Sequence, residues 1–168
     1  MLLTIKGGTK KQRADVQSIA TYVGLKLLHP KTFPLIEVDI DLINNLYDKE
    51  GNIGDVIWED TNYRPKWFTM QVDTSVSRRR MLETVCHEMV HIQQFATGRL
   101  HEISRGTKWE GKLYKNEPDY WDRPWEIEAH GREIGLFLTW VEDFGLQNQA
   151  WTWDDLDKYK KEYEQQIR

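Results

Sequence analysis

The sequence predicts a single α+β domain in which a small sheet packs against helices. The first observation is Met81–Ala96, a run without Gly or Pro. Its apolar residues recur at spacings of three and four, which indicates a helix buried on most sides. The second is Trp67–Asp73, where alternating apolar residues indicate a strand buried on one face. A chain of 168 residues can form one hydrophobic core, and no repeat or linker divides it, so we expect residues 1–168 to be one domain.

The N-terminal half is predicted to contain one helix followed by strands. The helix covers Lys10 to Leu28 and ends before Pro30, because a residue that precedes proline disfavours helical conformation. Leu35–Ile40 and Val56–Glu59 are rich in branched residues and are predicted to be strands. Together with Trp67–Asp73 they would form an antiparallel or mixed sheet.

The buried helix is predicted to begin at one of the good N-cap residues Asp73, Thr74, Ser75 and Ser77, and to end near Gly98. The segment Gly98–Arg123 is punctuated by glycines and a proline and is predicted to be irregular, with a small hairpin possible at Trp109–Tyr114. An irregular segment of this length in a compact domain usually carries function. We therefore expect this segment to lie beside a functional site.

Two helices are predicted to follow. Pro124 suits the first turn of a helix, where its missing N–H has no partner to lose, and the helix continues to Trp140. A charged amphipathic helix is predicted from Thr152 or Asp154 to the C-terminus.

Composition argues against several classes of protein. The net charge of −4 gives no reason to expect general nucleic-acid binding. The cluster Arg78-Arg79-Arg80 is interpreted as a solvated basic patch, with contact to an anionic ligand as the alternative. One cysteine excludes a disulfide framework and a Cys-rich zinc ribbon. The sequence has no secretory signal and no long apolar run, so we expect a cytoplasmic protein that does not enter a membrane.

The buried helix carries the stretch His87-Glu88-Met89-Val90-His91. His87 and His91 are four residues apart and therefore lie on the same face of the helix, one turn apart. Their ring nitrogens can bind one metal ion, and Glu88 is close enough to take a proton from a water on that metal. This is the H-E-x-x-H arrangement, which predicts a Zn²⁺ site with His87 and His91 as ligands and Glu88 as the catalytic residue.

Two histidines in a helix can also be ordinary polar residues, one satisfied in the core and one solvated. The surroundings argue against this alternative, because an apolar stripe buries the helix on most sides. The stripe consists of Leu82, Val85, Met89, Ile92 and Ala96. Burying two histidines and a glutamate without partners would cost several kcal/mol, and one metal ion would satisfy all three.

A catalytic zinc site needs a third protein ligand and one open position. Glu126 and His130 are four residues apart on the downstream helix, so one can bind the metal while the other contacts a ligand histidine. Ala129 is small enough to let the two helices approach closely. Glu128 points away from Glu126 by about 160° to 200° and is a poor partner for it at the same metal. On these residues alone, both Glu126 and His130 are candidates for the third ligand.

The pattern His87-Glu88-Met89-Val90-His91 followed by Glu126-x-x-Ala129 resembles the gluzincin metallopeptidases, in which a glutamate on a downstream helix is the third zinc ligand. Val85–Gln94, Trp109–Tyr114 and Arg123–His130 are similar to small SprT-like metallopeptidases of bacteriophages and bacteria, and the resemblance covers about residues 67 to 136. It implies a zincin-like α+β domain, with a small sheet packed on a metal-binding helix and a downstream ligand helix.

For the site, the resemblance implies His87, His91 and Glu126 as zinc ligands and Glu88 as general base and acid. The chain also departs from both families. Gluzincins often have Asp where His130 stands, so His130 is an alternative third ligand. SprT proteins use a third histidine and often carry a Cys-rich ribbon, which a chain with one cysteine cannot form.

The predicted activity is hydrolysis of a peptide bond in a protein or peptide substrate, with Glu88 passing the water's proton to the leaving nitrogen. If the protein is encoded by a phage, the predicted location is the host cytoplasm. We expect Trp67–Asp73 to be an exposed edge strand beside the metal helix and to pair with an extended substrate. The candidates for stabilising the oxyanion are Tyr114, Tyr120 and Arg123.

Two other functions remain open on the sequence. One is a catalytically silent zincin-fold binding protein with a structural metal, against which an intact Glu88 argues. The other is a DNA-associated SprT-like protease whose Arg78-Arg79-Arg80 contacts phosphates. Net acidity weakens that second alternative, so nucleic acid is not an expected partner. The sequence predicts no oligomeric state.

Overall fold

The computed structural model describes residues 1–154, and most of the predicted C-terminal helix lies outside these residues. The elements in chain order are β1 (Leu2–Gly7), α1 (Lys10–Leu27), β2 (Glu37–Ile43), α2 (Leu46–Glu50), β3 (Gly54–Trp58), β4 (Trp67–Asp73), α3 (Arg78–Ala96), β5 (Leu100–Ile103), β6 (Gly106–Trp109), β7 (Lys112–Tyr114) and α4 (Pro124–Asp143). Three short 3₁₀ turns are Phe33–Leu35, Tyr120–Asp122 and Ala150–Trp153. The α+β class is confirmed.

The main sheet has the strand order β1-β2-β4-β3. The strands β1, β2 and β4 are parallel, and β3 runs antiparallel to β4, so the sheet is mixed. The expectation that Trp67–Asp73 is an edge strand is wrong, because β2 and β3 hydrogen-bond to its two sides. The strand at that edge of the sheet is β3, whose residues contact α3.

One face of this sheet packs on α1 and α3 to form the core. The alternation predicted for β4 is observed, since Phe68, Met70 and Val72 are fully buried. Their neighbours across β2 are Val38, Ile40 and Leu42, which are also buried. On the side away from the sheet, α3 packs against α4. Helix α3 therefore lies inside the protein, with nearly all of its residues buried.

The prediction that Gly98–Arg123 is irregular is wrong for residues 100–114, which form a second sheet in the order β5-β6-β7. The hairpin between β6 and β7 was anticipated at Trp109–Tyr114. Its two turn residues, Glu110 and Gly111, have φ of 47° and 83°. Two positive φ values are what a tight two-residue hairpin turn requires. The strands have three or four residues each, too few for a clear period of two in the sequence.

The interpretation of Arg78-Arg79-Arg80 as a solvated patch is also wrong. Each guanidinium is paired with a carboxylate, and Arg79 is only 3% exposed. The carboxylates offset the positive charge that the first turn of α3 disfavours. The pairs are Arg78–Asp15 at 2.7 Å, Arg79–Glu83 at 2.7 Å and Arg80–Glu133 at 3.2 Å.

Among the described residues 1–154, no helix combines the length and the apolar composition needed to cross a membrane.

Candidate metal centre

Helix α3 presents the side chains of His87, Glu88 and His91 to a cavity although all three are buried. The helix begins at Arg78 because the Ser77 side chain accepts a hydrogen bond from the Arg80 N–H. It then runs without interruption to Ala96. The two histidines lie one turn apart, with ring centroids 4.8 Å from each other.

Helix α4 brings Glu126 to the same point. Its Oε2 lies 3.3 Å from His87 Nε2 and 3.4 Å from His91 Nε2, and the two Nε2 atoms are 3.1 Å apart. His87, Glu126 and His130 also form a possible metal-binding triad, since each can offer a ligand atom within 4.8 Å of the others. The structure thus brings together all four residues that were proposed from the sequence as ligands or alternatives.

The triangle formed by His87 Nε2, His91 Nε2 and Glu126 Oε2 has the size of a zinc site. A regular tetrahedron with bonds of about 2.0–2.1 Å holds its ligand atoms about 3.3–3.4 Å apart. Among residues 1–154, Glu126 Oε2 is buried and makes no hydrogen bond, although both histidines are near it. A buried carboxylate oxygen without a hydrogen bond is costly unless a cation satisfies it. The donor set of two imidazoles and one carboxylate fits Zn²⁺.

The other ring nitrogens of the two histidines are held by hydrogen bonds. His87 Nδ1 lies 2.8 Å from Glu133 Oε2, and His91 Nδ1 lies 2.8 Å from Gln94 Oε1. Both partner atoms are oxygens that accept hydrogen bonds, so each Nδ1 carries a proton. The Nε2 atom of each ring is then the one that can bind a metal, and it faces the centre of the triangle. The Gln94 amide is itself fixed, because its Nε2 donates to the Trp125 carbonyl.

Glu133 is a site residue that the sequence interpretation missed. It is seven residues after Glu126 and three after His130, so all three lie on the same face of α4. That spacing was visible in the sequence and is the signal that could have found it. The Glu133 carboxylate is buried, binds His87 and is paired with Arg80 at 3.2 Å.

His130 has partners for both of its nitrogens. Its Nδ1 lies 3.2 Å from Glu133 Oε2 and its Nε2 lies 3.1 Å from the Tyr120 hydroxyl, while its ring packs 4.4 Å from the His87 ring. Burial and repulsion from His87 lower the pKa of His130. Within residues 1–154, Glu126 Oε2 makes no hydrogen bond and lies 3.3–3.4 Å from the Nε2 atoms of both His87 and His91, whereas His130 Nε2 is hydrogen-bonded to Tyr120, so Glu126 is the better candidate for the third ligand.

The charges at the centre depend on each other. Burial disfavours a charged His87, but the neighbouring carboxylates of Glu126 and Glu133 outweigh burial and raise its pKa to about 9. The pKa of His91 is raised in the same way, mainly by Glu126 against the effect of burial. Burial works against ionisation of Glu126, yet the two histidines hold its pKa well below the usual range. The site therefore binds positive charge, whether protons or a metal ion.

Glu88 lies beside the ligands on α3, next to strand β3. Burial raises the pKa of Glu88, partly offset by His91 and His87. Strand β3 can approach helix α3 closely because residue 54 is glycine. A Cβ on Gly54 would lie 2.4 Å from Thr84 Cγ2 and 3.3 Å from Glu88 Oε1. Gly54 thus allows the edge strand to pass directly over the carboxylate.

A cavity of about 560 Å³ opens over the centre, between β3 on one side and the β5-β6-β7 sheet on the other. Of the oxyanion candidates, Tyr120 and Arg123 line this cavity. Tyr114 does not, and its ring packs edge-on to Trp125 at 5.7 Å. Burial and repulsion from Glu126 raise the pKa of Tyr120, so its hydroxyl keeps its proton.

Two further residues that could offer a ligand atom lie away from the triangle. His101 packs its ring 4.4 Å from that of Tyr63. Glu128, predicted to be a poor partner for Glu126 at the same metal, pairs with Arg99 at 3.0 Å.

Comparisons of this chain with protein-family models, with curated proteins and with solved structures found no match. Function is therefore inferred from the geometry of the site.

Proposed function

We propose that this protein is a zinc-dependent metallopeptidase, with His87, His91 and Glu126 as the metal ligands and Glu88 as the general base. The observation that carries the proposal is the triangle of ligand atoms 3.1–3.4 Å apart, with the carboxylate of Glu88 beside it and an open cavity above. The substrate we propose is a protein or peptide in the cytoplasm.

Zn²⁺ bound there would act as a Lewis acid toward the scissile carbonyl and would lower the pKa of a water molecule. Glu88 takes the proton from the attacking water, and it later gives that proton to the leaving nitrogen. Its raised pKa suits both steps, because a carboxylate with a pKa nearer to neutrality is a better acid once it is protonated. Glu133 and Gln94 hold the imidazole rings in place through Nδ1.

Tyr120 is the residue proposed to stabilise the oxyanion. His130 Nδ1 lies 3.2 Å from the Glu133 carboxylate, so we infer that this nitrogen carries the proton, which leaves His130 Nε2 as acceptor and the Tyr120 hydroxyl as donor. A substrate oxyanion is a stronger acceptor than a neutral imidazole, so the hydroxyl would turn to it when substrate is bound. His130 thus positions Tyr120 in the free protein.

Strand β3 is proposed to bind the substrate backbone, replacing β4 in that role. The Asp73 N–H donates to the Ile53 carbonyl and the Glu59 N–H donates to the Trp67 carbonyl. Residues of an antiparallel strand alternate between facing their partner and facing away, so Gly54 and Val56 present free N–H and C=O groups. Both residues line the cavity, where an extended peptide could pair with them.

The arrangement agrees with the zincin-like fold proposed from the resemblance. A mixed sheet packs on the helix with both histidines, a downstream helix supplies the carboxylate, and the strand at the cavity runs antiparallel to its neighbour. The relation to gluzincins and to SprT-like metallopeptidases is part of the proposal.

Neither alternative function gains support from the site. A structural metal has no need of Glu88 in a cavity open to substrate, which disfavours a silent binding protein. A DNA-associated protease would use Arg78-Arg79-Arg80, but these guanidinium groups are already bound by carboxylates.

Elemental analysis of the purified protein and of two variants tests the metal centre. We expect about one zinc per chain, lost in Glu126→Ala and kept in His130→Ala. Zinc loss in His130→Ala alone would make His130 the third ligand. No zinc in any sample, even after zinc is added to the purified protein, would refute the metal centre.

Cleavage of a fluorescent peptide library then tests the reaction. Glu88→Gln keeps the shape of the side chain and all metal ligands but cannot accept the proton. We expect it to retain zinc and to lose cleavage by a factor of about 10²–10⁴. Equal cleavage by wild type and Glu88→Gln would refute the mechanism.

A further inference from the structure

The cavity continues past the metal centre into a pocket with an apolar floor. Phe95 lies one turn after His91 on α3, and it is joined there by Leu100 of β5 and Trp125 of α4. All three are at most 6% exposed, so they form a fixed surface. This floor offers contact to a long apolar stem.

Glu102 stands on the same face of β5 as Leu100, because side chains two residues apart point to the same side of a strand. The two residues are about 6.6 Å apart along the strand. Both line the cavity, and Glu102 is paired across the sheet with Thr107, which lines it as well. A ligand side chain must be long to contact the floor and also reach this carboxylate.

Within residues 1–154, Glu102 is a carboxylate of this pocket that has no ion-pair partner. Glu117 accepts a hydrogen bond of 2.6 Å from the Thr107 hydroxyl and is paired with Arg123 at 3.0 Å. Arg123 is thereby held by Glu117 and makes no ion pair with Glu102. Within residues 1–154, the Glu102 carboxylate makes no hydrogen bond and no ion pair, and partial burial together with repulsion from Glu117 raises its pKa against the weaker attraction of Arg123. A carboxylate in this position is stabilised by an added cation.

We propose that this pocket selects a lysine or arginine side chain of the peptide substrate, with the floor of Phe95, Leu100 and Trp125 contacting its methylenes and Glu102 binding its charged head. The inference rests on the proposed peptidase function, whose site the pocket adjoins. A neutral side chain of equal length would fill the floor but leave Glu102 without a partner. An acidic side chain would be repelled by Glu102, since Arg123 is already paired.

Peptide binding can be measured without cleavage. Glu88→Gln protein, metal-free and zinc-loaded, is titrated by fluorescence anisotropy against labelled hexapeptides in which one position at a time carries Lys, Arg, Met or Glu. At one position we expect Lys and Arg to bind about three- to tenfold more tightly than Met, the range for a partly exposed charge pair. Adding Glu102→Gln should reduce this ratio to near one. Adding Glu142→Gln, which changes an exposed carboxylate on α4 outside the cavity, should leave it unchanged.

Glu102→Lys should reverse the preference, so that the Glu peptide binds more tightly than the Lys peptide. Equal binding of Lys and Met peptides at every position, or a preference that survives Glu102→Gln, would overturn the pocket assignment. Preferential cleavage of Lys or Arg peptides by otherwise wild-type enzyme supports it if Glu102→Gln abolishes the preference. If the basic preference appears in binding but no peptide is cleaved, the pocket stands and the peptidase function fails. If cleavage occurs without any basic preference, the function stands and the pocket fails.

Discussion

Protons and metal should compete for His87, and pH is the perturbation that reveals it. The pKa of His87 in the metal-free protein is about 9, against a usual value of 6.5. At pH 7.5 a group with that pKa is about 97% protonated, whereas an ordinary histidine is about 9% protonated. Binding of Zn²⁺ requires neutral imidazole, so zinc should displace about one proton from His87. Below pH 9, zinc affinity should fall about tenfold per pH unit for each such histidine.

The same shift makes the stability of the metal-free protein depend on pH. Because the folded pKa lies above the unfolded one, the stabilisation is fully present below pH 6.5 and is lost as pH rises to 9. A difference of about 2.5 pKa units corresponds to at most about 3 kcal/mol. Urea denaturation of the metal-free protein at several pH values measures this loss. Zinc-loaded protein should show the opposite trend, because metal affinity increases with pH.

Isothermal calorimetry in buffers with different ionisation enthalpies counts the protons released on zinc binding. The matched control is Glu133→Gln, which keeps a hydrogen-bond acceptor near His87 Nδ1 but removes the charge that helps to raise its pKa. Ionisation of a water on the metal would contribute equally to both proteins, so a difference in the number of protons released comes from His87. We expect fewer protons released by the variant at pH 7.5. The same number from wild type and variant would refute the reasoning.

Three further predictions concern single side chains. Gly54→Ala should destabilise the protein by about 1–3 kcal/mol and lower peptidase activity, because the new Cβ meets Thr84 Cγ2 at 2.4 Å. Adding Thr84→Ser removes that methyl group and should restore both stability and activity. Thermal denaturation and peptide cleavage measure the two effects. Tyr120→Phe should reduce kcat about 10²–10³-fold with KM and zinc content nearly unchanged, and a change in KM alone would instead indicate a role in binding. Arg79→Met should cost about 3 kcal/mol in urea denaturation, since it removes the partner of the buried Glu83 at 2.7 Å and leaves that carboxylate only Arg80 at 3.7 Å, and adding Glu83→Leu should recover part of that loss. An additive loss in the double variant would contradict this account of the pair.

The parts of the fold that were predictable from sequence are those governed by local spacing. Helix α3 and strand β4 follow from periods of 3.6 and two, and β4 matches its predicted bounds of Trp67–Asp73. The strand β1 was missed because Leu2–Gly7 has no fully buried side chain to mark one face. Strand order could not be derived either, since it depends on contacts between residues far apart in the chain. For this reason the edge strand was assigned to β4 when it is β3.

In the candidate site, too, only the features that depend on local spacing were predictable from sequence. His87, Glu88 and His91 are neighbours on one helix, so their spacing alone implies a common site. Their supporting partners come from elsewhere in the chain, and sequence could narrow these only to one face of α4. On that face, the choice between Glu126 and His130 depends on hydrogen bonds across three elements, because Tyr120 and Glu133 occupy both nitrogens of His130. The identity of the third ligand is thus a property of the packed structure as much as of the residue itself.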